Sequence, residues 1–137
     1  MLCNPILQVL IRHVSHFVRD HPAILENHHR GNSFNAVVRC EVRSLVDIDS
    51  TTGRESEVAR WLASFLAGRG YRVWKQPVSE SRFNVYASLR DDPAVVLSTH
   101  FDCVPPFFPS REERGLIFGR GACDAKGILA AQITAAE

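Results

Sequence analysis

The chain has 137 residues, 45% of them apolar, and 16 basic against 15 acidic side chains leave a net charge of +1. That length suits one domain with a real core, and the charge balance gives no electrostatic case for nucleic acid or an anionic membrane surface. No apolar run is long enough to span a bilayer, and the apolar start lacks the basic lead and small-residue cleavage site of a secretory signal.

Leu7, Leu10, Val14 and Phe17 recur at helical spacing and predict an amphipathic helix from about Pro5 to Val18. His21-Pro22 ends it, and "ENHHRGNS" reads as a polar linker. His13, His16, His21, His28 and His29 all fall in this segment. His13 and His16 share a helical face, but no carboxylate or thiol stands at ligand spacing to close a metal site. The segment therefore reads as solvated and non-functional.

From Asn35 the pattern tightens. "NAVVRCEVRSLVDI" sets Val38, Val42, Leu45 and Val46 on one stripe, a helix of about three turns. Thr52 and Glu55 stand in the relation of a capping box. The next helix turns Val58, Leu62, Phe65 and Leu66 inward and stops at Gly68 and Gly70. "YRVWKQPV" alternates through Tyr71 and Val73, and "RFNVYASL" through Phe83, Val85, Ala87 and Leu89, so each strand buries one face. "AVVLSTH" is a continuous apolar run, the mark of a central strand covered on both sides. "GLIFG" predicts a short strand and "KGILAAQITAAE" a last helix. Helices before and after a central apolar strand predict an α/β sandwich.

Cys3, Cys40, Cys103 and Cys123 are scattered without CxxC pairs, which points to reduced thiols in a cytoplasmic protein. Cys103 and Cys123 read as small buried side chains, with metal ligation as the alternative.

In α/β sheets ligands gather beyond the carboxyl ends of central strands. "STHFDCVPP" places His100 there. Residues i and i+2 of extended chain point the same way, so Asp102 reaches the His100 ring. A carboxylate on one ring nitrogen fixes the tautomer and leaves the other nitrogen for a metal. Twenty-odd residues on, "GRGACDAKG" holds Asp124 in a backbone able to turn tightly, and its two oxygens can bridge two cations. Structural roles stay open beside these: a strand-end histidine steadied by an aspartate, and Asp124 as the N-cap of the last helix.

"LSTHFDCVPP" followed by "GRGACDAKG" resembles the paired signature of the zinc-dependent amidohydrolases and peptidases that include acetylornithine deacetylase, succinyl-diaminopimelate desuccinylase, aminoacylase and glutamate carboxypeptidase, the clan MH metallopeptidases. "LVDIDSTTGRESEVARWLASFLAGRGY" resembles the family's opening helices. The likeness runs from about Asn35 to Glu137. It implies a three-layer α/β sandwich with a mixed, largely parallel central sheet. Residues 34–137 would be the N-terminal part of that catalytic domain, behind an atypical extension of residues 1–33. Met1 is the only methionine, so a start at an alternative codon would place the native beginning at Val37 or Val38.

The resemblance also implies residue roles. His100 would bind one of two zinc ions and Asp124 would bridge both. Asp102 would serve catalysis as the carboxylate that orients His100, and the peptide after the bridging aspartate, Asp124–Ala125, would be cis. Cobalt or manganese would suit the same ligands. The implied reaction is hydrolysis of an amide bond in an N-acyl amino acid or a peptide, with a glutamate as general base. That glutamate, the other ligands and a smaller inserted domain that dimerises would follow Asp124 and are not in this sequence, so these residues alone are expected to be inactive. No nucleic-acid or membrane partner is expected. Two rival readings stand beside this one: a metal-free α/β interaction or scaffold domain with a structural His-Asp pair, and a mononuclear zinc protein using the neighbouring cysteines.

Overall fold

A computed structural model describes residues 6–11 and 31–137. In chain order it has β1 (Ile6–Ile11), α1 (Gly31–Val46), α2 (Ser56–Gly68), β2 (Arg72–Ser79), β3 (Arg82–Ser88), β4 (Val95–His100), β5 (Arg111–Glu113), β6 (Leu116–Phe118) and α3 (Lys126–Ala136).

Apolar spacing builds the helical layer. Val42, Leu45 and Val46 of α1 meet Val58, Leu62 and Leu66 of α2 and Leu129, Ala130 and Ile133 of α3. Val85 and Ala87 of β3, with Tyr71 and Phe101, close the same core. Burying each large aliphatic side chain contributes roughly 1.5–3 kcal/mol against the ordering entropy of the chain. The predicted capping box does not form. Glu55 occupies the N-cap of α2 without a side-chain cap bond. Its Oε1 instead accepts from the Gly53 amide and the Arg82 guanidinium, each at 3.0 Å. A charge-assisted bond to the partly buried Arg82 guanidinium outweighs a neutral amide cap.

The main sheet runs β2-β3-β1-β4, with β1 parallel to β3 and the other two neighbouring pairs antiparallel. A largely parallel sheet is thus not what these strands form. The connections explain it: residues 80–81 join β2 to β3 and residues 89–94 join β3 to β4, far short of the dozen residues that a parallel crossover needs. Pro77 sits on β2, a strand at the sheet's edge, where a missing N–H is tolerated.

Two strand expectations are corrected. Ile6–Ile11 is strand β1, not the start of a helix. Apolar residues over so short a run fit either period, and here the backbone pairs on both sides, with Leu7 to Leu10 against β3 and Ile6 to Ile11 against β4. The rest of that predicted helix, and His13, His16, His21, His28 and His29, lie outside the described residues. β4, expected to be central and covered on both sides, is at the edge of the sheet. Val96 is 51% exposed there, while Leu97 packs against the core.

β5 and β6 form a separate hairpin. Arg114 and Gly115, both with positive φ, make its two-residue turn, the geometry that matches strand twist. "GLIFG" supplies β6 as predicted; its partner "REE" carries no apolar signal. No helix among the described residues is long and apolar enough to cross a membrane.

Candidate metal centre

The chain leaving β4 is held by residues 49–52. Ser50 Oγ donates to the Phe101 carbonyl at 2.7 Å, and the Cys103 amide donates to the Ser50 carbonyl at 2.9 Å. The Thr52 amide donates to the Cys103 carbonyl at 3.1 Å. Asp49 shapes this loop by accepting from the Thr51 amide at 2.9 Å, the Thr51 hydroxyl at 2.7 Å and Arg54 at 3.0 Å. Such side-chain-to-backbone bonds are how Asp fixes a turn. The Thr51 amide, first among these donors, holds the Asp49 carboxyl below the usual range. Phe101 is fully buried and anchors the segment from the core side.

His100 ends β4 with its ring between two carboxylates. Nδ1 lies 3.3 Å from both the carbonyl oxygen and Oδ1 of Asp102. Nε2 lies 3.1 Å from Oδ1 of Asp124. Asp102 Oδ1 is buried and makes no hydrogen bond of good geometry among the described residues; the His100 ring nitrogen stands 3.3 Å from it. Leaving such an oxygen unmatched costs about 1–3 kcal/mol. With the Nδ1 proton directed at Asp102, the Nε2 lone pair faces the lone pairs of Asp124. Two acceptors at that separation repel unless a proton or a cation stands between them.

Asp124 arrives by a constrained path. The N-cap of α3 is Ala125, with no side-chain cap bond, so the capping role for Asp124 is not what the fold uses. Its side chain is 83% exposed and pairs with His100. The Asp124–Ala125 peptide is cis, as the resemblance implied. Upstream, Gly121 has φ +85°, and a Cβ there would stand 2.5 Å from Cys103 Sγ, so only glycine lets this loop reach the strand end.

Lys126 carried no functional role in the sequence reading, yet it is buried, and its Nζ donates to the Ile48 carbonyl at 2.8 Å. Burial pushes its ammonium below the usual lysine range. The bond ties the first turn of α3 to the segment leading into the 49–52 loop. A signal was present: Lys126 shares the i, i+3, i+4, i+7 stripe of Leu129, Ala130 and Ile133. Cys103 is buried, as expected of a small core side chain, whereas Cys123 is exposed.

The donor set, one imidazole nitrogen and one carboxylate oxygen, is of the kind zinc takes. Their 3.1 Å separation suits two ligands on one ion at bond lengths of about 2.0–2.2 Å. It is part of a site. Among the described residues no three His, Cys, Asp or Glu side chains group to hold a metal, so neither cysteine joins the pair.

Comparison with known proteins gives first a class, the peptidases: residues 96–137 match the sequence model of peptidase family M20/M25/M40. That stretch contains His100, Asp102 and Asp124. A probable carboxypeptidase of Emericella nidulans is 48% identical over 105 residues, covering 69% of this chain and 25% of the relative. A probable carboxypeptidase of Aspergillus clavatus is 42% identical over 108 residues, 69% of this chain and 24% of its own. A peptidase M20 domain-containing protein of Schizosaccharomyces pombe is 46% identical over 98 residues, 68% and 24% respectively. These matches support peptidase family M20/M25/M40 for the chain. It spans about a quarter of the length of these curated relatives. No solved structure matches it.

Proposed function

We propose that this chain supplies the His100–Asp124 edge of a zinc-dependent active site that hydrolyses amide bonds in peptides or N-acyl amino acids. One observation carries the reading: a histidine whose two ring nitrogens both face carboxylates, an array that a cation at Nε2 completes. Asp102 holds the ring from the buried side and sets the tautomer, His100 offers Nε2, and the exposed Asp124 carboxylate has a second oxygen free to bridge to a further ion. Bound zinc would supply a Lewis acid and lower the pKa of a coordinated water. The names of the relatives favour peptides as substrate. Residues 34–137 form the N-terminal part of the catalytic domain in this reading, with β1 from the preceding segment completing its sheet between β3 and β4. The exposed face of β4 then meets further elements of a three-layer sandwich, and hydrolysis needs carboxylates that lie beyond Asp124. The free thiols at Cys40, Cys103 and Cys123 favour a reducing compartment, the cytoplasm.

Calorimetric titration of the 137-residue chain with zinc tests this. We expect weak, saturable binding that His100→Ala removes, since two protein ligands leave most positions to water. Zinc uptake indifferent to His100→Ala would contradict the reading and favour the metal-free scaffold with a structural His-Asp pair.

A further inference from the structure

We propose that β1 is a conformational latch on the candidate metal centre: docked between β3 and β4 it holds the strand that presents His100, and undocked it loosens the His100–Asp124 pair. The link to the metal rests on the hydrolase reading above, whereas the latch itself rests on the sheet. In the order β2-β3-β1-β4, β4 has one neighbouring strand, and that strand is β1. Their ladder covers the whole of β4, from Ile6 against His100 to Ile11 against Val95. On its other side β1 sets Leu7 to Leu10 against Val85 to Ser88 of β3. β3 and β4 are consecutive in the chain, with residues 89–94 between them, yet a strand from outside that stretch fills the space that separates them.

The attachments of β1 make it separable. Residues 12–30 lie between it and α1, so no short turn ties it to either neighbouring strand. β2 and β3, by contrast, are joined through residues 80–81 and pair along Arg72–Ser79 without help from β1. α1, α2 and α3 bury their large side chains against one another and against Val85 and Ala87 of β3. Closing a long connection costs more chain entropy than closing a two-residue turn. β1 is therefore the strand of this sheet whose docking is least favoured, and local openings begin at such elements. His100 stands where two supports meet. Behind it, residues 101–103 are bonded to Ser50 and Thr52. Ahead of it, β4 has the β1 ladder, Leu97 against the core, and one bond from α3, Gln132 Nε2 donating to the Ser98 carbonyl at 3.2 Å. His100 Nε2 lies 3.1 Å from Asp124 Oδ1, and groups that share a ligand need placement to about 0.5 Å. Losing the ladder blurs that placement, and by linkage a cation on the pair favours docked β1.

Amide hydrogen exchange of the 137-residue chain in EDTA and low urea tests the latch. In wild type the β1 and β4 amides should open together, about tenfold or more often than those of α2. β4 amides that open only with α2 would overturn the proposal. Val9→Pro should cut β4 protection about tenfold or more and leave α2 protected, because β1 is paired on both sides and an inner strand excludes proline. Unchanged β4 protection in that variant would also overturn it. If Val9→Pro unfolds α2 as well, Val9→Gly decides. It keeps the N–H and weakens the strand, so β4 protection should fall about threefold with α2 unchanged, and an unaltered β4 overturns the proposal. Saturating zinc should raise β1 protection about tenfold, and Val9→Pro should weaken zinc binding by the same factor. Zinc bound at His100 that leaves β1 protection unchanged would overturn the link between latch and site. A chain whose β1 and β4 open together in EDTA but which ignores zinc would sink the hydrolase reading alone.

Discussion

The two faces of the main sheet are built on different terms. One face carries α1, α2 and α3 over Val85, Ala87 and Leu97, and the fully buried Leu, Ile and Phe side chains lie on that side. The other presents Trp74, stacked on Tyr86, and Val96 to solvent. The candidate metal centre sits at the strand end where the covered face stops, fixed to the core by Phe101 and to the 49–52 loop by backbone bonds. Stability and chemistry are therefore separable here. Packing beneath the helices holds the fold, while His100 and Asp124 contribute geometry and little burial.

Substitutions should sort by face. The largest loss is expected from Leu62→Ala or Leu129→Ala, each removing a fully buried side chain, at about 2–5 kcal/mol by urea denaturation. A cost near that of a surface change would break the two-face account. Next comes Asp49→Ala, which deletes three hydrogen bonds of the loop beneath the site, with an expected cost of about 1–2 kcal/mol. Its pH signature has a definite sign. The Asp49 carboxyl is depressed in the fold, so its contribution is present above the ordinary value of 3.8 and is lost as pH falls through the lower folded value. Denaturation profiles of wild type and Asp49→Ala should converge in acid.

Lys126 runs the other way. Its folded pKa lies below the ordinary 10.5, so the unfolded chain binds more protons between the two values and stability rises with pH across that window. Lys126→Met should flatten this rise relative to wild type. Tyr71, pushed up to about 12 by burial, acts in the opposite sense between about 10 and 12 in both proteins, so the difference between the two profiles isolates the lysine. The smallest effect is expected on the open face, where Val96→Thr should change stability by about 0.5 kcal/mol or less. A larger loss would mean that this face is covered in the folded chain.

What the sequence disclosed follows the same division. α2, β3 and α3 were legible because Val58, Leu62 and Leu66, Val85 and Ala87, and Leu129 and Ile133 repeat at the period of their element and bury against one another. The His100–Asp102 proximity was legible from extended-chain geometry alone, and that of Asp124 from the glycine-rich turn and the family likeness. The failures needed partners distant in sequence. Nothing local in "ILQVLI" says that two strand edges from residues 82–100 will capture it. Nothing in "AVVLSTH" distinguishes an edge from a centre, since that depends on which strands pair beside it. Glu55 left its expected cap for Arg82, a residue 27 positions away.

The central claim is that the Nε2 of His100 and the Asp124 carboxylate share a cation, and the most direct measurement is the imidazole ¹⁵N spectrum of His100 during a zinc titration at neutral pH. The account predicts that the His100 Nε2 resonance moves with zinc while Nδ1 stays protonated towards Asp102, and that Asp124→Asn weakens the response without loss of fold. A His100 ring whose resonances stay unchanged at saturating zinc would contradict it.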